Sequence, residues 1–211
     1  MLENVRGLLG TVFDEYRASL KRDLEEMGYV PEWRLLNASD FGVPQLRPRV
    51  IFVALRKEIA PFFTWPHPEM ALPPSVGEVL SDLMHENGWV GANAWVARAA
   101  DIAPTLVGGS KKHGGADLGP SRARRAWEAL GIDGRSLADG APDRHFVGMP
   151  KLTLRMAARI QGFPDDWQFQ GGKTAAYRQI GNALPPPVAH SVARQIALAL
   201  NKESACRRKS A

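Results

Sequence analysis

Apolar positions in the first part of the chain change their period more than once. Between residues 11 and 27 they recur at helical spacing: Val12, Phe13, Tyr16, Leu20, Leu24 and Met27 share one face, and Gly28 follows as a stop. That spacing predicts an amphipathic helix. Trp33 to Leu36 then reads as a short strand, and Val50-Ile51-Phe52-Val53-Ala54-Leu55 as a buried one, being continuous, apolar and rich in β-branched residues. The stretch between them, Asp40 to Arg49, holds two prolines and a glycine and predicts a shaped loop.

After residue 57 the periodicity is lost. Pro61, Pro66, Pro68, Pro73 and Pro74 crowd into a short stretch that excludes a long regular element. Pro104 to Gly119 is rich in glycine and basic residues. One helix is predicted over 121–130, with Ser121 as its cap and Ala123, Ala126, Trp127 and Leu130 as its apolar face. The remainder of 58–150 reads as an irregular lobe. Regularity returns at Lys151. Thr153 caps a predicted helix running to Gln161, with Met156, Ala157 and Ile160 inward and Gly162 as terminator. A last helix starts at the Pro185-Pro186-Pro187 run and packs through Val188, Val192, Ile196, Ala199 and Leu200. The pattern therefore predicts part of an α/β sheet domain (1–57 and 151–201) interrupted by an irregular lobe (58–150), with a solvated basic tail (202–211).

Charge adds a partner to this picture. Lys and Arg outnumber Asp and Glu by 27 to 22, an excess that favours a polyanion. Its distribution is the stronger hint, since Lys111, Lys112, Arg122, Arg124 and Arg125 fall between Gly108 and Arg125 against one acid, Asp117. No apolar stretch approaches the ~20 residues of a membrane span, so no membrane is expected and a cytoplasmic location follows. One cysteine, Cys206, excludes an internal disulfide, and the five histidines show no metal-ligand spacing.

Four short motifs then occur in order: Glu3-Asn4-Val5 with Gly7-Leu8; Gln45-x-Arg47-x-Arg49 ahead of the buried strand; Leu152-Thr153 through Gln161-Gly162-Phe163-Pro164; and Gly181-Asn182-Ala183. Together they resemble the later motifs of bacterial DNA cytosine-5 methyltransferases, and the resemblance covers residue 3 to about residue 200. It implies the C-terminal half of a Rossmann-like, S-adenosylmethionine-dependent methyltransferase domain, with the lobe as a target-recognition domain inserted into it. The implied substrate is a cytosine flipped out of double-stranded DNA. Glu3 then matches the glutamate that hydrogen-bonds the N3 and amino group of that base. Arg49 matches the arginine on its O2, and Arg47 a partner near the backbone phosphates, with Gln45 helping to hold the loop. Asn182 matches an asparagine lining the S-adenosylmethionine site, where the start of the last helix would favour the cofactor's carboxylate. Lys111, Lys112, Arg122, Arg124 and Arg125 are the candidate DNA contacts of the lobe.

Two departures bear on these expectations. Leu154-Arg155-Met156 stands where the family has Pro-Arg-Glu, so a salt bridge from that glutamate is absent. The family's Pro-Cys nucleophile and glycine-rich cofactor loop lie upstream of the Glu-Asn-Val motif, whereas only two residues precede Glu3, and Cys206 follows no proline. The isolated chain is therefore expected to be inactive. A truncated enzyme is the first reading, because the break would expose a core sheet edge; one subunit of a split enzyme is the second. A DNA-binding remnant without chemistry and part of an RNA cytosine-5 methyltransferase are the rivals.

Overall fold

The structure, a computed structural model, describes residues 1–68, 72–108 and 115–210; of Lys209 and Ser210 only the backbone is described. It is a mixed helix-and-sheet protein. Three strands, β1 (Leu2–Val5), β2 (Tyr29–Asn37) and β3 (Pro48–Arg56), form an antiparallel sheet in the order β1-β3-β2. β3 takes the centre because Val50 to Val53 can be buried on both faces, and all four are. β2 is longer than the Trp33–Leu36 segment expected. It also contains Pro31, which an edge strand tolerates because its outer side has no ladder to lose.

The helix expected over 11–27 is α1 (Asp14–Glu26), entered through two short 3-10 turns at Arg6–Leu9 and Thr11–Phe13. Its apolar stripe, however, is not a buried stripe. Leu20 and Leu24 are half-buried, while Val12, Phe13, Tyr16 and Met27 face solvent. The cause is geometric: α1 packs mainly against β2, with Arg17 tying it to the turn at Leu8 and Gly10, so most of its apolar stripe has no partner layer among the described residues.

Residues 58–150 are more regular than their proline content implies. They hold α2 (Val76–His85), α3 (Ala92–Arg98) and α4 (Ser121–Ala129). Proline ends just where α2 starts. Ser75 accepts from the Glu78 amide at 3.2 Å, and Glu78 accepts in return from the Ser75 amide at 2.7 Å. This reciprocal capping box starts a helix whose Val76, Leu80, Leu83 and Met84 are buried. In α4 the cap is Pro120 rather than Ser121. Ser121 is the first helical residue and accepts from Arg124 instead. Trp127 and Leu130 are buried as expected, but Ala126 is exposed.

α5 (Leu154–Ile160) carries the expected Thr153 cap, Thr153 Oγ1 accepting from the Met156 amide at 3.2 Å. Met156 also fills the place of the missing glutamate, its Sδ accepting from the Thr153 amide at 3.4 Å. Gly162 ends the helix at φ +87°, a conformation that suits glycine. α6 (Lys173–Asn182) was not foreseen, because Gly181-Asn182-Ala183 reads as a turn when it is in fact the end of a helix. α7 (Pro186–Ser210) packs through Val188, Val192 and Ala199, with Leu200 exposed. It continues through the expected tail, since no glycine or proline interrupts 188–210.

Two cores result. One gathers Leu36, Phe41, Val43, Ile51 and Val53 against Val188 and Val192 of α7, with Phe63 and Trp65 at its margin. The larger one joins α2, α3 and α4 to α5 and α6 through Leu80, Trp95, Trp127, Met156, Ile160 and Tyr177. The segment that crosses between them carries the site.

Candidate functional site

Pairing register decides which residues meet. Glu3 lies opposite Ile51 and Val5 opposite Arg49, so Glu3, Val5, Arg49 and Ile51 share one face of the sheet. Glu3 and Arg49 are diagonal neighbours there, with Arg49 Nε 3.3 Å from Glu3 Oε2. Arg49 also donates from Nη1 to the Pro48 carbonyl at 2.9 Å. Burial lowers the Arg49 pKa and the Glu3 carboxylate opposes that shift. A carboxylate and a planar cation thus stand side by side at an open sheet edge, every residue of β1 being exposed. Such a pair presents an acceptor and a fork of donors to one planar ligand.

Arg47 is placed differently from the phosphate contact that the resemblance implies. It is fully buried. Nη1 donates to the Leu106 carbonyl at 2.6 Å and, more weakly, to Gln45 Oε1 at 3.4 Å. Nη2 donates to the Gly181 and Ala183 carbonyls at 2.6 and 3.0 Å. Those two acceptors belong to the C-terminal end of α6, where carbonyls lack helical partners and the helix dipole favours a cation. Desolvation first, and then the like charge of Arg49, pull its pKa down to about 9, so it remains a cation at neutral pH.

Gln45 and Gln161 complete this buried group. Gln45 Nε2 donates to Gln161 Oε1 at 2.8 Å, Gln45 Oε1 accepts from the Leu106 amide at 2.9 Å, and Gln161 Nε2 donates to the Ala183 carbonyl at 2.6 Å. An isolated parallel bridge, Gln45 to Ala103, lies beside them. The pattern Gln45-x-Arg47 and the Gln-Gly pair marked these side chains in the sequence. What no local pattern showed is their common destination.

Asn182 is the last residue of α6 and its side chain is exposed, so its carboxamide can hydrogen-bond a ligand. The start of α7 offers fewer amides than the expected anion cradle needs. Pro185, Pro186 and Pro187 have no N–H to offer, and the Ala189 amide is already taken by the Pro185 carbonyl. Asn182 is the one residue matched to the cofactor. In the stretch 58–150, Arg122 and Arg125 project from α4 into solvent. Arg124 is half-buried and bonded to Ser121. Lys111 and Lys112 lie outside the described residues.

A second cluster docks α5 on α2. Arg159 donates to the Val79 carbonyl and to Asp165 Oδ1, both at 3.0 Å, and pairs with Asp82, while Arg155 donates to Asp165 Oδ2 at 3.0 Å. Hydrogen bonds from Arg159 and then Arg155 hold the Asp165 pKa at about 2. No group of potential metal ligands occurs among the described residues. Nor is any described helix long and apolar enough to cross a membrane.

The family model for C-5 cytosine-specific DNA methylases matches residues 1–198. The chain belongs to that family. Among curated methylases it is 60% identical over 207 residues to the type II methyltransferase M.NaeI of Lentzea aerocolonigenes, covering 96% of this chain and 50% of that one. It is 53% identical over 211 residues to the type II methyltransferase M.NgoMIV of Neisseria gonorrhoeae, covering 97% and 65%. The chain thus spans about half to two-thirds of the length of these methylases. In fold it resembles the S. pombe Dnmt2 methyltransferase, with a TM-score of 0.54 at 18% identity over 94% of this chain and 67% of that one. The Entamoeba histolytica methyltransferase EhMeth gives 0.55 at 16% identity over 92% and 60%.

Proposed function

We propose that this chain is the base-pocket and DNA-recognition part of a DNA cytosine-5 methyltransferase acting on a cytosine flipped out of duplex DNA. The adjacency of Glu3 and Arg49 carries the reading. Cytosine offers O2 and N3 as acceptors and its amino group as a donor. Arg49 would donate to O2, while Glu3, holding a proton at N3 and accepting from the amino group, would offset the charge that builds on the ring as carbon 6 is attacked. A DNA-binding remnant has no use for such a pair. Exposed Arg122 and Arg125 suit phosphate contact, and 58–150, with α5 and α6 packed on it, is the DNA-recognition part.

When bound, S-adenosylmethionine supplies the methyl group, and Asn182 is the residue of this chain that would hold it. The thiolate that adds at carbon 6 belongs to a further segment, and this chain offers that segment a seat. Leu2 and Val5 on β1, Val12 and Phe13 in the turn before α1, and Tyr16 on α1 are exposed apolar residues, and β1 is an edge strand among the described strands. Exposed residues of this kind call for a covering layer of the same sheet domain.

Co-expression with the half of M.NaeI that this chain does not match tests the reading. Co-purification and transfer of labelled methyl from S-adenosylmethionine to duplex DNA, lost in Glu3→Gln, is the expected result. A stable complex that leaves DNA unmethylated, or that methylates transfer RNA instead, overturns it.

A further inference from the structure

Arg17, Arg47, Arg49, Arg124 and Arg159 are not fully exposed, and each has a hydrogen-bonded or ion-paired partner. Arg178 of α6 is also half-buried but has no such partner among the described residues. Its Nε is buried without an acceptor, while its outer nitrogens reach solvent. A guanidinium that is partly desolvated and unpaired is costly, and an anion arriving from outside would satisfy it. α6 itself carries no acidic residue. The buried face of this helix is Ala176, Tyr177, Ile180 and Gly181. Its other face carries Thr174, Arg178 and Asn182 at successive four-residue steps, so three hydrogen-bonding side chains stand in one line.

That line starts beside the base pocket. Arg47 fixes the end of α6 through the Gly181 and Ala183 carbonyls. Gly108 presses on the same end, for a Cβ on Gly181 would come within 2.6 Å of the Gly108 Cα. Arg47 stands two residues before Arg49, whose guanidinium meets Glu3. Arg178 lies about 6 Å along the helix from Asn182, four residues at a rise of 1.5 Å each. Its backbone is therefore held in a fixed relation to the pocket residues.

Resting on the reading above, we propose that Arg178 binds a backbone phosphate of the strand that carries the flipped cytosine, next to that nucleotide. A base that enters the pocket brings its own two flanking phosphates to the pocket mouth. The planar fork of Arg178 takes two oxygens of one phosphate at once, a geometry that an ammonium lacks. The contact strengthens binding of a flipped nucleotide without reading its sequence.

Equilibrium binding of the whole chain to a short duplex tests this, with one cytosine set opposite an abasic site so that it leaves the stack at little cost. Arg178→Gln should bind about tenfold more weakly, and should flatten the slope of log affinity against log salt by about 0.9. Arg178→Lys keeps the charge, so it should restore the slope but not the full affinity. A neutral methylphosphonate at one of the phosphates flanking the cytosine should weaken the wild type by about the same factor. In Arg178→Gln it should cost much less, because the contact is already lost. An unchanged slope in Arg178→Gln overturns the proposal and leaves the guanidinium to another anion, such as the cofactor's carboxylate. So do losses that simply add at both flanking phosphates. If Arg178→Gln does not fold, Arg178→Met keeps the packed stem and carries the same expectations.

The base-pocket reading is judged separately, by comparing cytosine with thymine opposite the abasic site. Equal affinity for the two sinks that reading, while the slope and the phosphate substitution still decide whether Arg178 meets the backbone. Preference for cytosine with an unchanged slope sinks the Arg178 contact alone. A chain that binds no DNA overturns both.

Discussion

Glu3 and Arg49 meet diagonally across β1 and β3, their charged atoms 3.3 Å apart, because each stands two positions from the other's direct partner on the same face. Side chains alternate along a strand, so a slip of one residue in this pairing would send Glu3 to the opposite face and dissolve the pair. The register is anchored by β3, whose Ile51 and Val53 face the α7 side of the sheet and are buried there.

Since Glu3 is partly exposed, its pairing with Arg49 contributes little to folding. Glu3→Gln should therefore change unfolding free energy by less than about 1 kcal/mol. In the enzyme reassembled with the M.NaeI half, the same substitution should lower kcat by about 10² or more, as expected for loss of a proton-holding group. Parallel denaturant unfolding and methyl-transfer kinetics check this. A large loss of stability would make the pair structural.

Gly181→Ala sets two effects against each other. Inside a helix, alanine is favoured over glycine by about 1 kcal/mol. Here, however, the new methyl would meet Gly108 backbone atoms at 2.6 and 2.7 Å. Backbone cannot step aside as a side-chain tip does, so overpacking wins. A net loss of about 2 kcal/mol is expected in urea unfolding. Stabilisation instead would mean that the two segments do not press together.

The Arg159 cluster gives stability a defined acid limit. Asp165 has a folded pKa of about 2, below the ordinary carboxylate value of about 3.9. A depressed folded pKa contributes stability that is fully present above the unfolded value and is lost as pH falls toward the folded one. Arg159→Met removes the larger of its two causes, leaving the Arg155 hydrogen bond. It should cost about 1 to 2 kcal/mol at neutral pH, the exposed carboxylates adding little and the Val79 carbonyl bond about as much again. That gap between wild type and variant should narrow between pH 4 and pH 2 in thermal melts by the carboxylate share, leaving the share of the Val79 carbonyl bond. A constant gap would assign the loss to packing alone.

Phe13 tests the exposed apolar residues between β1 and α1. It is exposed, so Phe13→Glu should shift the unfolding free energy of the chain by no more than about 0.5 kcal/mol. The same change places a charge where an apolar layer is proposed to dock, and co-purification with the M.NaeI half should fall at least tenfold. Undiminished co-purification would locate the docking surface elsewhere.

The resemblance carried by the Glu-Asn-Val and Gln-x-Arg-x-Arg motifs singled out Glu3 and Arg49, and the pairing of β1 with β3 brings the two side chains together. Arg47 was named, but its task was not. Whether an arginine turns toward phosphate or inward is set by carbonyls at Leu106, Gly181 and Ala183, far away in sequence. Unlike α4, which the apolar pattern predicts, α2 and α3 were hidden for a different reason. Prolines before α2 suppress the impression of order, although the Ser75-x-x-Glu78 box that starts the helix is a local signal and was available to be read. α1 shows the converse limit. An apolar stripe predicts that a helix will form, but burial depends on a neighbouring layer.

Arg122 and Arg125 separate charge from architecture. Both are exposed on α4, so replacing both with glutamine should leave the melting temperature nearly unchanged. Arg124 is unsuitable for this test, because its stem packs near Gly134 and its guanidinium is bonded to Ser121. Each phosphate contact released on duplex DNA contributes a slope of about 0.9 in the logarithm of affinity against the logarithm of salt. If both arginines reach phosphates, Arg122→Gln/Arg125→Gln should flatten that slope by about 2 and weaken binding alike for every sequence. A slope lowered by nearly 1 would leave one of them in contact. An unchanged slope with altered sequence preference would move them from the backbone to the base edges, since direct readout changes which site is chosen without changing how many counterions are released.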